Sequence, residues 1–190
     1  MKIAIASLSN RGFQPDTVKS LLELKCPYDK EIIIATQGYH IAENRNYITA
    51  NALKAGCDFI FTVDDDMIFP PDTLERLLVH KKDIVGVPYH PRLEVGKETY
   101  KDLDKTHIIT LKGEGKKELF ECEAIGTGIM LINTKILYDI KQPFFAFESH
   151  ETGFTIQGED WYFCKKAREA GYKVWCDPKI KVGHLGVKIY

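Results

Sequence analysis

The 190 residues carry 26 Lys and Arg against 27 Asp and Glu, a formal net charge of −1, so the basic surplus of a nucleic-acid-binding surface is missing. A hydrophobic fraction of 44% and a charged fraction of 28% are those of an ordinary globular protein with enough chain for a substantial core, and no apolar run approaches the ~20 residues of a membrane span. The five cysteines, Cys26, Cys57, Cys122, Cys164 and Cys176, are scattered and form no Cys-x-x-Cys. With no signal-peptide profile at the N-terminus, they read as reduced core residues of a cytoplasmic protein.

Residues 2–8 read as a strand, Ser9-Asn10-Arg11-Gly12 as a turn, and Pro15-Asp16 as the opening of a helix with Val18, Leu21, Leu22 and Leu24 as its apolar stripe. Glu31 to Thr36 is the second strand, and its unbroken Ile32-Ile33-Ile34 predicts an interior position. After a loop at Gln37-Gly38-Tyr39, a helix is predicted from Glu43 to Ala55, stopped at Gly56 by a left-handed cap. Residues 59–63 are apolar except Thr62 and show no alternation, so both faces of this strand should be covered. Pro70-Pro71-Asp72-Thr73-Leu74-Glu75 has prolines at its start and the shape of a capping box, predicting a helix from Thr73 to about His80. Asp83 to Pro88 supplies a fourth strand. This β-α-β-α-β-α-β order with short connections predicts an α/β fold, its central sheet mainly parallel and flanked by helices on both faces.

The second half has a different texture. Residues 89–105 are charged and aperiodic and predict an exposed loop. His107–Lys112 and Glu118–Cys122 predict a hairpin around Gly113-Glu114-Gly115. Ala124–Ile132 reads as a glycine-bearing strand, Thr134–Ile140 as a short helix, and Pro143–Phe147 as core or strand. Gln157–Ala170 reads as a helix stopped by Gly171, with Trp161, Cys164, Ala167 and Ala170 buried, and Tyr172–Cys176 and Lys179–His184 as closing strands. The change from regular α/β to a smaller irregular α+β half predicts one domain, residues 1–190, built as two lobes around one cleft.

Two acidic motifs carry the chemistry. The apolar strand runs straight into Asp64, Asp65 and Asp66, three carboxylates that repel one another unless water, cations or helix ends compensate. In extended chain Asp64 and Asp66 project to one side and Asp65 to the other, and such a pair suits a hard divalent cation. The triplet sits where a strand gives way to a helix, at the carboxyl edge where ligands of open α/β sheets collect. A turn that merely caps the next helix is the plainer reading, although one acid would suffice for capping. The second motif, Gly158-Glu159-Asp160, sets two acids in the first turn of a helix, at the positive end of its dipole. Acids there also serve as simple caps.

Taken in order, Asn44-Arg45-Asn46, Val63-Asp64-Asp65-Asp66, Phe69-Pro70-Pro71-Asp72-Thr73-Leu74, Gly126-Thr127-Gly128 and Gly158-Glu159-Asp160, with Phe163-Cys164 and Ala170-Gly171, resemble the nucleotide-sugar glycosyltransferases of the GT-A fold. The resemblance is nearest the glycosyltransferase family 2 group and its small relatives, and covers nearly the whole chain. It implies transfer of a sugar from a nucleotide-diphosphate donor to an acceptor hydroxyl, with residues 1–100 as the nucleotide-sugar-binding half and 101–190 as the acceptor and catalytic half. Asp66 is then a direct ligand of Mn2+ or Mg2+, Asp64 contacts the ribose or a metal-bound water, Asp65 bonds nearby backbone, and His184 completes the metal sphere. A cation there stabilises charge on the departing diphosphate. Arg45 approaches the nucleotide, Ser7 to Arg11 wall its pocket, and Gly126-Thr127-Gly128 floor the sugar and acceptor site. Asp160 acts as general base with Glu159 orienting, since inversion needs a carboxylate near the acceptor hydroxyl; a retaining mechanism would remove that need. Trp161 and Tyr162 could stack on a sugar, although Trp161 falls on the core stripe.

Two departures bear on partners. Thr36-Gln37-Gly38-Tyr39 lacks the acid or asparagine that reads the base in family members, so the nucleotide is left open. The chain stops soon after His184, so the acceptor (a glycan, a protein or a small molecule) is either small or bound with help from another chain, a homo-oligomer being one form of such help. A sugar-nucleotide nucleotidyltransferase expects a glycine-rich basic loop after the first strand, and Ser9-Asn10-Arg11-Gly12 is too poor in glycine. A non-catalytic nucleotide-sugar-binding module is the third reading.

Overall fold

The computed structural model describes residues 1–9, 12–35, 40–89, 97–101, 108–110, 117–153 and 155–186. The elements run β1 (Lys2–Leu8), α1 (Pro15–Glu23), β2 (Asp29–Ala35), α2 (Ile41–Lys54), β3 (Phe59–Asp64), β4 (Met67–Ile68), α3 (Thr73–Val79) and β5 (Ile84–Gly86). The second half adds β6 (Lys97–Lys101), β7 (Ile108–Thr110), β8 (Phe120–Cys122), β9 (Ala124–Ile125), β10 (Ile129–Asn133) and a 3-10 turn at Thr134–Tyr138. It closes with β11 (Glu148–Ser149), β12 (Thr155–Gln157), α4 (Glu159–Glu169), β13 (Val174–Cys176) and β14 (Gly183–His184).

Seven strands form the central sheet in the order β2-β1-β3-β10-β5-β13-β8. β1 is parallel to β2 and β3, and β5 to β13, whereas β10 is antiparallel to both its neighbours and β8 to β13. Hence β2, β1, β3, β5 and β13 run one way and only β10 and β8 oppose them, the largely parallel α/β sheet that the βα alternation predicts. β3 is central because both its faces are apolar. Ile60 joins the core under α2 and α4, with Ile48, Ala52, Phe163 and Ala167. Phe61 and Val63 join the opposite core with Leu74 and Leu77 of α3. Complete burial of a side chain such as Phe61 contributes about 2–3 kcal/mol.

Several expectations are corrected. β2 is the sheet edge, so Ile32 and Ile34 are exposed and only Ile33 of the three is buried. α1 buries Thr17 and Ser20 while Val18 and Leu22 face solvent; the Ser20 hydroxyl accepts from the Phe69 amide at 3.3 Å, docking this helix through a polar contact. Asp72 makes no side-chain cap on α3, and the Thr73 hydroxyl instead donates to the Pro70 carbonyl at 2.7 Å. The predicted hairpin does not form: β7 pairs with β6, inside the segment read as loop, and β8 pairs with β13 in the main sheet. Its turn, 111–116, lies outside the described residues. The predicted strand Ala124–Ile132 is broken into β9 and β10 by a turn at Thr127-Gly128. α4 buries Glu159, Phe163, Cys164 and Ala167, while Ala170 lies exposed beyond its end and Trp161 packs partly buried against the core.

The cysteines are all free, four of them buried. Among the described residues no helix is long and apolar enough to cross a membrane.

Candidate functional site

β3 stays extended only as far as Asp64, its last residue beside Leu8 of β1. Asp65 and Asp66 then turn, and the chain extends again as β4. The alternation that would send Asp64 and Asp66 to one side stops at that turn, and the two carboxylates acquire different partners. Asp64 accepts from the Arg45 Nη2 at 3.1 and 3.3 Å, while its amide donates to the Gly128 carbonyl at 3.0 Å. The Asp65 carbonyl accepts from the Gln14 amide at 2.9 Å. Asp66, only 3% exposed, sets Oδ1 3.3 Å from His184 Nε2. Its carbonyl accepts from the Leu185 amide, and β14 pairs antiparallel with β4, so the end of the described chain is stitched to the acidic turn.

Arg45 lies on α2 and is 5% exposed, an unusual place for a cation. Burial opposes its charge, but Asp64 and Glu159 outweigh that and hold the guanidinium protonated. Its Nη2 meets Asp64 and its Nε meets Glu159 Oε1, each at 3.1 Å; a charge paired on two sides is one that burial can tolerate. Next on the helix, the Asn46 amide donates to the carbonyls of Ala42 and Phe145 and accepts from the amides of Phe144 and Phe145. That pins the 144–145 segment, and Phe145 stacks on Phe163 of α4 with ring centroids 4.8 Å apart. α2 thereby fixes both the cation and the helix that carries the second acidic motif.

At the N-terminus of α4, Gly158 is the N-cap, and a Cβ there would stand 3.1 Å from Asp160 Oδ1. Asp160 Oδ1 accepts from the Trp161 amide at 2.8 Å. Desolvation, and secondly the charge of Glu159, push the Asp160 carboxyl up to about 7, against the opposing pull of Arg45 and the Trp161 amide. Tyr162 runs beside Lys166, whose Nζ is 5.4 Å from its ring centroid.

Tyr89, just past β5, escaped the sequence reading. Its hydroxyl accepts from the Gly128 amide at 3.0 Å, and its ring meets His184 edge-on with centroids 5.2 Å apart. Desolvation, and then the charge of Asp64, push its phenol well above the usual range. A Cβ on Gly128 would stand 2.7 Å from the Tyr89 ring, so this glycine is required for the close approach. Thr127 is fully buried; its carbonyl accepts from the Thr62 hydroxyl at 2.7 Å, while its own hydroxyl has no hydrogen-bond partner among the described residues. The buried Ser7 donates to the Val63 carbonyl at 2.5 Å. Arg11 and the loop 36–39 lie outside the described residues.

The three residues expected to ligate metal thus separate into Asp66 with His184 and Asp64 with Arg45. Among the described residues no group of three or more His, Cys, Asp or Glu stands together as a metal-binding set. The Asp66–His184 pair still offers an oxygen and an imidazole nitrogen on one short contact, a donor set that suits a divalent ion such as Mn2+.

No protein-family model and no curated protein sequence matches the chain. Solved structures do. A197 from STIV matches with a TM-score of 0.68 at 18% identity, over 97% of this chain and 86% of that one. GalNAc-T7, crystallised with UDP, GalNAc and Mn2+, matches with a TM-score of 0.63 at 11% identity, over 100% of this chain and 44% of that one. S. aureus TarS 1–349 in complex with UDP-GlcNAc matches with a TM-score of 0.55 at 13% identity, over 100% and 60%. The fold is GT-A. At these identities the likeness is one of architecture, and the chain spans about half the length of the GalNAc-T7 and TarS chains it matches.

Proposed function

We propose that this chain is a metal-dependent glycosyltransferase that moves a sugar from a nucleotide-diphosphate donor to an acceptor hydroxyl with inversion. The observation that carries the reading is Arg45, which bonds Asp64 at the end of β3 and Glu159 at the start of α4, so that one buried cation joins the two acidic motifs. The UDP and Mn2+ of GalNAc-T7 and the UDP-GlcNAc of TarS make uridine-diphosphate sugars the first donors to test.

In this reading Asp66 and His184 would hold the cation, which when bound supplies positive charge against the diphosphate leaving group. Asp64, fixed by Arg45, faces the ribose, with Asp65 bordering the nucleotide, while the buried Ser7 and the buried Gly126-Thr127-Gly128 turn support the nucleotide and sugar sites from beneath. Residues 1–100 form the donor half and 101–190 the acceptor half. Asp160 accepts the proton of the acceptor hydroxyl while that oxygen bonds to the anomeric carbon. The bond from the same carbon to the diphosphate breaks, and its electron pair leaves with the diphosphate. A carboxyl near 7 suits a base working around neutral pH, and Glu159, held by Arg45, keeps a second negative charge nearby that helps to raise it.

A thermal-shift panel of UDP- and GDP-sugars with and without Mn2+, followed by measurement of nucleoside diphosphate released on adding sugar and peptide acceptors, tests the reading. A donor that stabilises the protein only with metal and is then turned over supports it. Metal-independent binding without turnover would instead describe a binding module, and no binding at all would overturn the reading.

A further inference from the structure

β2 forms one edge of the central sheet, and no further strand pairs with it among the described residues. Ile32 is 57% exposed and Ile34 47%. On the same side Val18 and Leu22 of α1 face water, Leu22 at 83%, and a groove of about 400 Å3 runs between helix and strand. Beyond the other face of the edge, Tyr47 of α2 is 58% exposed beside Ile33. Soluble proteins usually blunt such edges with charge, proline or a bulge. β2 has none of these over its last four residues: it pairs with β1 in unbroken register, and its charges, Asp29, Lys30 and Glu31, sit at one end.

The backbone fixes which groups are free. Ala35 turns its carbonyl to β1, where it accepts from the Ser9 amide at 2.8 Å. Alternation along the strand then directs the amide and carbonyl of Lys30, Ile32 and Ile34 to the open edge. Ile32 is the middle residue of the seven in Asp29–Ala35. A second copy of β2, laid antiparallel with a two-fold axis at Ile32, therefore pairs the whole strand end to end and makes Ile32 a hydrogen-bonded pair with its own counterpart. Lys30 then faces Ile34, Glu31 faces Ile33 and Asp29 faces Ala35, so no like charges meet. Because that axis stands normal to the sheet, both α1 helices come to one face, and Val18 and Leu22 of each close over the isoleucine ladder.

We propose that this chain forms a two-fold dimer through antiparallel β2–β2 pairing, which joins the two sheets into one and covers the groove beside α1. The end-to-end match and the absence of opposed charges select a second copy of this chain over an unrelated strand; both copies present the same surface, as an isologous interface requires.

Sedimentation equilibrium of the full chain tests this. At about 100 µM, where a dimer of micromolar Kd is nearly complete, the protein sediments at twice its 21.7 kDa. Two variants separate the two parts of the interface. Ile32→Pro removes an outward-facing amide that β1 does not use, and Leu22→Glu places a charge against α1 of the second copy. Each is expected to sediment as a monomer while keeping the wild-type far-UV circular dichroism. A wild-type monomer at that concentration overturns the proposal, as does a dimer that survives either variant in folded form. Should Ile32→Pro fail to fold, Leu22→Glu, an exposed helix position, decides alone.

Discussion

Replacing Asp160 by Asn separates the cost of an ionised, half-buried carboxylate from its catalytic use. A carboxyl raised from 3.8 to about 7 holds its proton longer in the folded chain than in the unfolded one. The contribution of this one group to stability is therefore greatest below pH 4, where both states are protonated, and is lost as pH rises through the interval from about 4 to about 7. Each pKa unit corresponds to about 1.36 kcal/mol, so the charged side chain destabilises the fold at pH 8 by at most about 4 kcal/mol. Asn keeps the acceptor for the Trp161 amide and removes the charge beside Glu159. Urea unfolding of wild type and Asp160→Asn at several pH values should show the variant more stable at pH 8, by up to that amount, with the gap closing as pH falls toward 4. The same variant should bind donor and lose transfer. Equal or lower stability of the variant at pH 8 would refute the reasoning, because it would mean that the site does not oppose this charge.

Three further outcomes follow from the same geometry. Wild-type transfer should fall off on the acid side with an apparent pKa near 7, as Asp160 takes up its proton, and a rate unchanged down to pH 5 would move the base elsewhere. Arg45→Met leaves Asp64 and Glu159 without their shared cation and should cost about 3–5 kcal/mol in urea unfolding. Arg45→Lys should recover only part of this, because a single ammonium cannot reproduce the fork that meets both acids. Gly128→Ala drives a methyl into the Tyr89 ring and should cost about 1–3 kcal/mol; the penalty should shrink when Tyr89 is also replaced by Ala, and a strictly additive double-mutant cycle would contradict the contact.

The parts of the fold that local chemistry dictates are readable in the sequence. The unalternating run before Asp64 gives a strand covered on both faces, and Gly56 and Gly171 stop their helices with φ of 68° and 89°. What failed depends on neighbours. An isoleucine run looks the same at a sheet edge as in its middle, so Ile32-Ile33-Ile34 could not reveal that β2 is the edge strand. The insertion of β10 between β3 and β5 and the partnering of β8 with β13 arise from long-range pairing that no short pattern encodes.

At the candidate site, the two acidic motifs stood out as sequence, but their connection did not. Arg45 meets Asp64 at 19 residues' separation and Glu159 at 114, and Asn44-Arg45-Asn46 stood out only through the family resemblance, with no local pattern to show Arg45 buried between two acids. Tyr89 gave less warning still: it heads the segment expected to be an exposed loop, yet it is buried and its hydroxyl accepts from the Gly128 amide.

Titration calorimetry of UDP and GDP into wild type and Asp66→Ala, with and without Mn2+, tests whether Asp66 and His184 hold a cation against a nucleoside diphosphate. Wild type should bind one nucleotide in a Mn2+-dependent way, and Asp66→Ala neither. Undiminished Mn2+-dependent binding in that variant would contradict this role for Asp66.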